Sequence, residues 1–283
     1  MVTTFQLNGG VISLLGEYPS MRAASAELPD GAYTTFRTYH SNRVLRLGQH
    51  IRRLEESVAL LGRPSLLEAS ATRQAIAHAL RATGYPESRF RLTFAPPTLF
   101  VSIEPFTPYP PMLYQSGVWC VTVSLQRDNP HAKSTTFIAS AADAYGALPA
   151  GAHEGLMVAG DGAILEGLSS NFFAIAPAAG HALHNNQDAG LVLRTEEARV
   201  LAGVTRAIVL EVAHALLPIS TQAVACDELP HVRECFITSV SREILPVVKI
   251  DHTVIGDGQP GPTTRELMRR FCELVQREAE PLE

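Results

Sequence analysis

Leu165-Glu166-Gly167-Leu168-Ser169-Ser170-Asn171-Phe172-Phe173, followed further along by Gly203-Val204-Thr205-Arg206, is the part of the chain that says most about its fold. In the first segment an apolar run ends on Glu166 beside a glycine. Three small polar side chains then precede the next apolar run. Such a string reads as a polar turn between two strands, with the carboxylate of Glu166 and the hydroxyls of Ser169 and Ser170 expected to share one mouth. In the second segment Gly203 stands before a helical stretch whose first turn holds Val204, Thr205 and Arg206. Free N–H groups at a helix start, together with the positive end of its dipole, suit a phosphate where a glycine admits close approach. Both features occur in many unrelated proteins when taken singly.

Working outward, Gly155-Leu156-Met157-Val158-Ala159-Gly160-Asp161-Gly162-Ala163-Ile164 reads as a hairpin, because Asp161-Gly162 between two apolar runs suits a turn with positive φ. Asn171 to Pro177 is a strand. Helices are predicted over 204–216, with Val204, Ile208, Val212 and Leu216 on one stripe, and over 264–279, with Leu267, Phe271 and Leu274. Thr238, Ser239 and Ser241 interrupt a strand pattern with hydroxyls. Towards the N-terminus, residues 1–48 alternate short apolar runs with turns. Ile51, Leu54, Val58 and Leu61 then mark a helix, a second helix covers 66–83, and Phe90–Phe94 and Leu99–Phe106 are strand-like. The stretch 134–145 reads as an alanine-rich helix. The proline-rich segment Phe106 to Gly117 resists both strand and helix interior. The division expected is residues 1–106 as an N-terminal α/β domain, 107–117 as a linker and 118–283 as a cofactor-binding C-terminal domain.

Composition narrows the chemistry. The 283 residues carry a net charge of −5 with 46% hydrophobic and 18% charged side chains, which excludes a disordered chain and disfavours a nucleic-acid partner. Four scattered cysteines without metal-ligand spacing read as reduced thiols. No apolar run reaches the length of a membrane span, and no leader is visible, so a cytoplasmic location is expected. Of 23 basic residues only Lys133 and Lys249 are lysines. Chemistry that needs a side-chain amine has those two candidates. Lys133 follows a proline turn and precedes a helical stretch, whereas Lys249 lies near the end of a strand, where a lysine blunts an edge.

A lysine, a carboxylate and a phosphate-binding helix start are together what pyridoxal 5′-phosphate requires: an amine for its aldehyde, an acid for its ring nitrogen and N–H donors for its phosphate. With these pieces in hand, the order of Gly31–Arg37 (GAYTTFR), His50–Ser57 (HIRRLEES), Pro130–Thr136 (PHAKSTT), Leu165–Phe173, Gly203–Arg206, Phe236–Asp251 (FITSVSREILPVVKID) and Gly258–Leu267 (GQPGPTTREL) resembles the class IV fold of pyridoxal-phosphate enzymes. That family holds branched-chain aminotransferases, D-amino-acid aminotransferases and aminodeoxychorismate lyases. The resemblance implies a two-domain α/β (α+β) fold, with a smaller N-terminal sheet-plus-helices domain and a larger barrel-like C-terminal domain. It also implies a homodimer.

Carried onto this chain, the resemblance implies that Lys133 takes the coenzyme aldehyde and moves the proton. Glu166 meets the pyridine nitrogen, with Ser170 and Asn171 beside it. Arg53, the helix start at Gly203, Val204 and Thr205, and the turn at Ser239, Val240 and Ser241 hold the phosphate, and Tyr33 lies near the cofactor. Tyr33-Thr34 stands where transaminase branches have an aromatic–Glu pair, and Thr34-Thr35 is closer to the lyases. The strand Phe90–Phe94 runs into Ala95-Pro96-Pro97 without the Arg-Gly of many members, which leaves Arg91, Arg37 and Arg127 as candidates for the substrate carboxylate, with Thr34 close by. The activity implied is amino transfer between an amino acid and a 2-oxo acid. Its alternatives are β-elimination from aminodeoxychorismate to 4-aminobenzoate and pyruvate, or a cofactor-free binding protein on the same fold.

Overall fold

The computed structural model describes residues 1–178 and 190–282. They group into two compact units, one made of 1–108, 131–139 and 274–283 and the other of 109–130 and 140–273. Residues 131–139, which the sequence division places with the C-terminal part, belong to the first unit. The Tyr33 N–H donates to the Lys133 carbonyl at 2.8 Å and the Thr135 N–H to the Gly31 carbonyl at 2.9 Å.

The first unit begins with β1 (Val2–Asn8), β2 (Val11–Tyr18), α1 (Met21–Ala26), β3 (Ala32–Tyr39), β4 (Arg43–Val44), α2 (Leu47–Leu60), α3 (Ala69–Thr83), β5 (Ser88–Ala95) and β6 (Thr98–Pro105). Its seven-stranded sheet, completed by the C-terminal strand Glu280–Pro281, has β5 central between β3 and β6. Along β3 the side chains alternate strictly: Thr34, Phe36 and Thr38 are buried, and Tyr33, Thr35 and Arg37 are half-buried. A period of two puts each set on its own face. On the covered face Phe36 stacks on Phe90 at 5.0 Å between centroids. Glu68, which accepts the N–H groups of Ser70 and Ala71, starts α3 three residues later than the periodicity predicts, and Gly84 at φ 63° ends it.

The second unit contains α4 (Pro111–Ser116), β7 (Val118–Val123), α5 (Phe137–Gly146, whose first turn lies in the first unit), β8 (Glu154–Val158), β9 (Ile164–Gly167), β10 (Asn171–Pro177), β11 (Leu191–Arg194), α6 (Val204–Ala213), β12 (Ile219–Ser220), a 3₁₀ turn at Cys226–His231, β13 (Glu234–Ser239), β14 (Glu243–Ile250), β15 (Thr253–Val254) and most of α7 (Pro262–Glu278). Strands β10, β13, β14, β7, β8 and β9 neighbour one another in that order, and the pair Asn171↔Glu166 joins β9 back to β10. The sheet therefore closes into a barrel. Each of the six strands contributes to one apolar cluster: Phe172, Ile237, Leu245, Cys120, Leu156 and Ile164.

Several sequence expectations are corrected here. The proline-rich linker carries a short helix, because Pro111 sits at its first helical position, where the missing N–H costs nothing. The alanine-rich helix starts at Phe137, not Ser134, since the Ser134 and Thr136 hydroxyls bond each other at 2.8 Å and Ser134 bridges to Ala32. The helix predicted over 204–216 ends at Ala213. The hydroxyl-rich break lies at the tip of the β13–β14 hairpin. By contrast, the Asp161-Gly162 turn has Gly162 at φ 84°, and Asn171–Pro177 is a strand, as read. Among the described residues no helix is long and apolar enough to cross a membrane.

Candidate functional site

In the first unit the sequence-predicted residues gather around Tyr33. The Lys133 Nζ lies 4.7 Å from the centroid of its ring and the Arg91 guanidinium carbon 4.9 Å from the same centroid. Main-chain bonds fix the lysine: its N–H donates to the Ser57 hydroxyl of α2 at 3.1 Å, and its carbonyl accepts from Tyr33. Arg91 donates to the Ser25 hydroxyl at 2.6 Å and the Met21 carbonyl at 3.4 Å, while its Nε is buried with no hydrogen-bond partner among the described residues. Burial lowers the pKa of this guanidinium from its ordinary value, the direction expected of a desolvated cation. Arg37 lies further along the same face of β3, with its guanidinium over the rings of Tyr39 and Phe106.

Thr34 is fully buried on the other face of β3. Its hydroxyl accepts from Arg53 Nη2 at 2.7 Å and bonds His50 Nδ1 at 2.9 Å. The alternation of the strand thus turns Thr34 away from the face that holds Tyr33 and Arg91.

In the second unit Glu166 is held from three sides. Arg127 Nε donates to its Oε1 at 2.9 Å, and Asn171 Nδ2 and the Leu201 N–H donate to its Oε2 at 3.0 and 3.3 Å. The Arg127 and Glu166 side chains are 5% and 3% exposed, so this is a buried charge pair. Arg127, expected as a candidate for a substrate carboxylate, is instead joined to the carboxylate of its own chain. A buried acid with a fixed cationic partner and oriented amide donors keeps one position.

The hydroxyls of Ser169 and Ser170 do not share that mouth. Ser170 donates to Glu154 Oε2 at 3.0 Å, and Ser169 bonds the Tyr145 hydroxyl at 2.6 Å and accepts from Arg242 Nη1 at 2.9 Å. Asn171 alone of the three reaches Glu166. Strand register explains this: Asn171 pairs with both Glu166 and Thr238, one residue out of phase with Phe172 and Ile237 of the barrel interior. Thr238 Oγ1 is buried without a hydrogen-bond partner among the described residues.

Helix α6 starts at Gly203 with no side-chain cap, and Val204 and Thr205 of its first turn are buried. Its N–H groups therefore keep the anion-attracting character of an uncapped helix start. Gly203 also makes room for a neighbour. A Cβ there would collide with Asn171 Oδ1, so the missing side chain admits the amide that holds Glu166. At the β13–β14 tip Ser239, Val240 and Ser241 are half-buried, and the Ser239 hydroxyl accepts the Arg242 N–H at 3.3 Å.

The sequence does not show what Arg242, Glu154, Tyr145 and His50 bond, since each acquires its partner from another segment. Lys249 stands over the Trp119 ring at 4.9 Å, in the second unit and on β14. Among the described residues no cluster of His, Cys, Asp or Glu could hold a metal ion.

Comparison with known proteins places the chain. A protein of Methanocaldococcus jannaschii, provisionally named a branched-chain-amino-acid aminotransferase, is 26% identical over 264 residues, 87% of each chain. The D-alanine aminotransferase of Staphylococcus haemolyticus is 29% identical over 114 residues, 40% of this chain and 36% of that protein. The solved branched-chain aminotransferase of the archaeon Thermoproteus uzoniensis with norvaline matches at TM-score 0.76 and 23% identity, covering 99% of each chain; it shows a shared fold. The model of the amino-transferase class IV family matches residues 31–250, and the chain belongs to that family of pyridoxal-phosphate-dependent enzymes.

Proposed function

We propose that this chain binds pyridoxal 5′-phosphate and transfers an amino group between an amino acid and a 2-oxo acid, with Lys133 as its catalytic residue. The observation that carries this reading is the setting of Glu166, a carboxylate buried and aimed by Arg127 and Asn171. Such a group fits a basic ring nitrogen. The residues present also supply the other needs of the group: an amine anchored through its main chain at Lys133, a buried guanidinium at Arg53, and an uncapped helix start at Val204 and Thr205. When bound, the coenzyme supplies an aldehyde and an electron-poor ring that draws electrons from the substrate α-carbon.

In this reading Glu166 would face the ring nitrogen and hold its proton, and Arg127 keeps the carboxylate fixed. Lys133 Nζ would take a proton from the substrate α-carbon, carry it as the ammonium, and deliver it to the carbon on the far side of the amino nitrogen. Ping-pong amino transfer needs that movement in both half-reactions. Tyr33 flanks the amine with its ring. Arg91, a cation on that same ring with a buried Nε left unpartnered, is assigned to the substrate carboxylate.

Two experiments test these assignments. Incubated with the coenzyme and an amino acid but no 2-oxo acid, the protein is expected to release product once per chain and then stop until an acceptor is added. Continued turnover without an acceptor supports the lyase alternative instead. For Arg91→Leu, kcat/KM for the 2-oxo acid is expected to fall by about 10–100-fold, mostly through KM, the loss of one charge-assisted contact. An unchanged KM rules out Arg91 as the carboxylate partner.

A further inference from the structure

We propose that His50 is a positioning residue: its imidazole Nδ1 holds the Thr34 hydroxyl and, through it, fixes the Arg53 guanidinium for a phosphate. The inference rests on the assignment of Arg53 in the proposed function and goes beyond it by naming what orients that arginine.

Helix α2 has Leu47, His50, Arg53, Leu54, Ser57 and Val58 buried together on one face. Leucine and valine need no further explanation there. Three polar side chains at i, i+3 and i+7 do, because a buried polar group is costly unless it is bonded. Ser57 is accounted for by the Lys133 N–H. His50 and Arg53 converge on a single oxygen, Thr34 Oγ1, at 2.9 and 2.7 Å. Arginine can only donate, so the hydroxyl accepts from Arg53 and its own hydrogen is left for the imidazole. In the proposed arrangement that hydrogen goes to Nδ1 of a neutral imidazole, which accepts it.

The charges around the ring agree with this. Burial, then the charges of Arg53 on α2 and Lys133 on the 131–139 segment, hold the His50 pKa well below the ordinary histidine value. β3 presents no charge to the ring. It contributes the Thr34 hydroxyl and Phe36, whose ring lies 5.6 Å away at 52° and is itself stacked on Phe90. The imidazole is thereby clamped in one orientation, and the hydroxyl proton has one direction to point. One lone pair of the oxygen takes the Arg53 N–H.

The test uses the purified full chain with two probes, pyridoxal 5′-phosphate and pyridoxal without phosphate, and equilibrium dialysis for Kd. Substitution His50→Leu fills the space without an acceptor, and Thr34→Val removes the hydroxyl. Each is expected to raise Kd for the phosphorylated probe about 10-fold, the scale of one hydrogen bond to a charged group. The double variant is expected to be no weaker than either single one, because the two residues act in series. His50→Asn, which returns an acceptor at the position of Nδ1, should restore Kd to within about 3-fold of the original. Affinity for unphosphorylated pyridoxal is expected to stay unchanged throughout.

A second readout is stability against pH. Because the folded-state pKa of His50 is depressed, the unfolded chain takes up the proton first as pH falls through about 6.5, and stability is lost below that value. The original chain should therefore lose melting temperature between pH 7 and pH 5 more steeply than the His50→Asn variant. The proposal is overturned by an unchanged Kd in His50→Leu or Thr34→Val, by losses that add in the double variant, by equal losses for both probes, or by parallel pH curves. Failure of the unmodified chain to take up pyridoxal 5′-phosphate has a different signature and overturns the proposed function, and this inference with it.

Discussion

Replacing Lys133 by alanine is expected to abolish amino transfer, lowering kcat by at least about 10³-fold, while the protein still folds. The size follows from losing both the nucleophilic amine and the group that moves the proton, in a chain with one other lysine. Folding should survive because the main chain of residue 133 anchors the segment, its N–H to Ser57 and its carbonyl to Tyr33. Alanine keeps both. The side chain contributes its contact with the Tyr33 ring, worth about 0.5–1 kcal/mol when exposed. Single-turnover assays of purified variant and parent, alongside melting curves, check the two halves. Wild-type turnover in Lys133→Ala is incompatible with the mechanism.

The second large effect is on stability, at Arg242→Met. Arg242 Nη1 lies 3.2 Å from Glu154 Oε2, with the two side chains 9% and 0% exposed, and the same guanidinium reaches Ser169 and Tyr145. Burial works against the arginine's charge, and Glu154 more than offsets it, raising the pKa above its ordinary value. Removing the cation strands a carboxylate in the interior. Breaking such a pair from one side costs about 3–5 kcal/mol, whereas replacing both partners by apolar groups is far milder. Urea unfolding of Arg242→Met is therefore expected to show a loss of about 3–5 kcal/mol that Arg242→Met/Glu154→Leu largely recovers. The exposed Arg269–Glu266 pair on α7 provides the contrast, since Arg269→Ala should leave the midpoint unmoved. A small loss in Arg242→Met, or no recovery in the double variant, contradicts this account of the network.

Local patterns in the chain were informative wherever a residue's role depends on its neighbours in sequence. The Asp161-Gly162 turn needs a positive φ and a glycine supplies it. Strand β10 is a continuous apolar run bounded by turn residues. The start of α6 follows from Gly203 and the apolar stripe after it. Motif order separated Lys133 from Lys249, and in the structure Lys133 adjoins Tyr33 and Lys249 adjoins Trp119.

What stayed hidden were partnerships between distant segments. Arg127 and Glu166 are 39 residues apart and Arg242 and Ser169 are 73 apart, and no periodicity relates them. Arg127 stood in the sequence as one of three candidates for a substrate carboxylate, and only the closed barrel brings it to Glu166. Ser170 and Asn171 are adjacent in sequence, yet the pleat sends one to Glu154 and the other to Glu166. The face that Thr34 takes was hidden for the same reason, since a strand's two faces cannot be ranked until it is known which one the helices cover. Gly203 was identified as important, but the side chain that fills the space above it is visible only in three dimensions.

The most direct test of the central claim is to incubate the purified chain with pyridoxal 5′-phosphate, reduce it with borohydride and map the labelled peptide by mass spectrometry. With Lys133 and Lys249 as the two lysines, the account predicts a stoichiometric label on Lys133. Label on Lys249, or none on either, would contradict it.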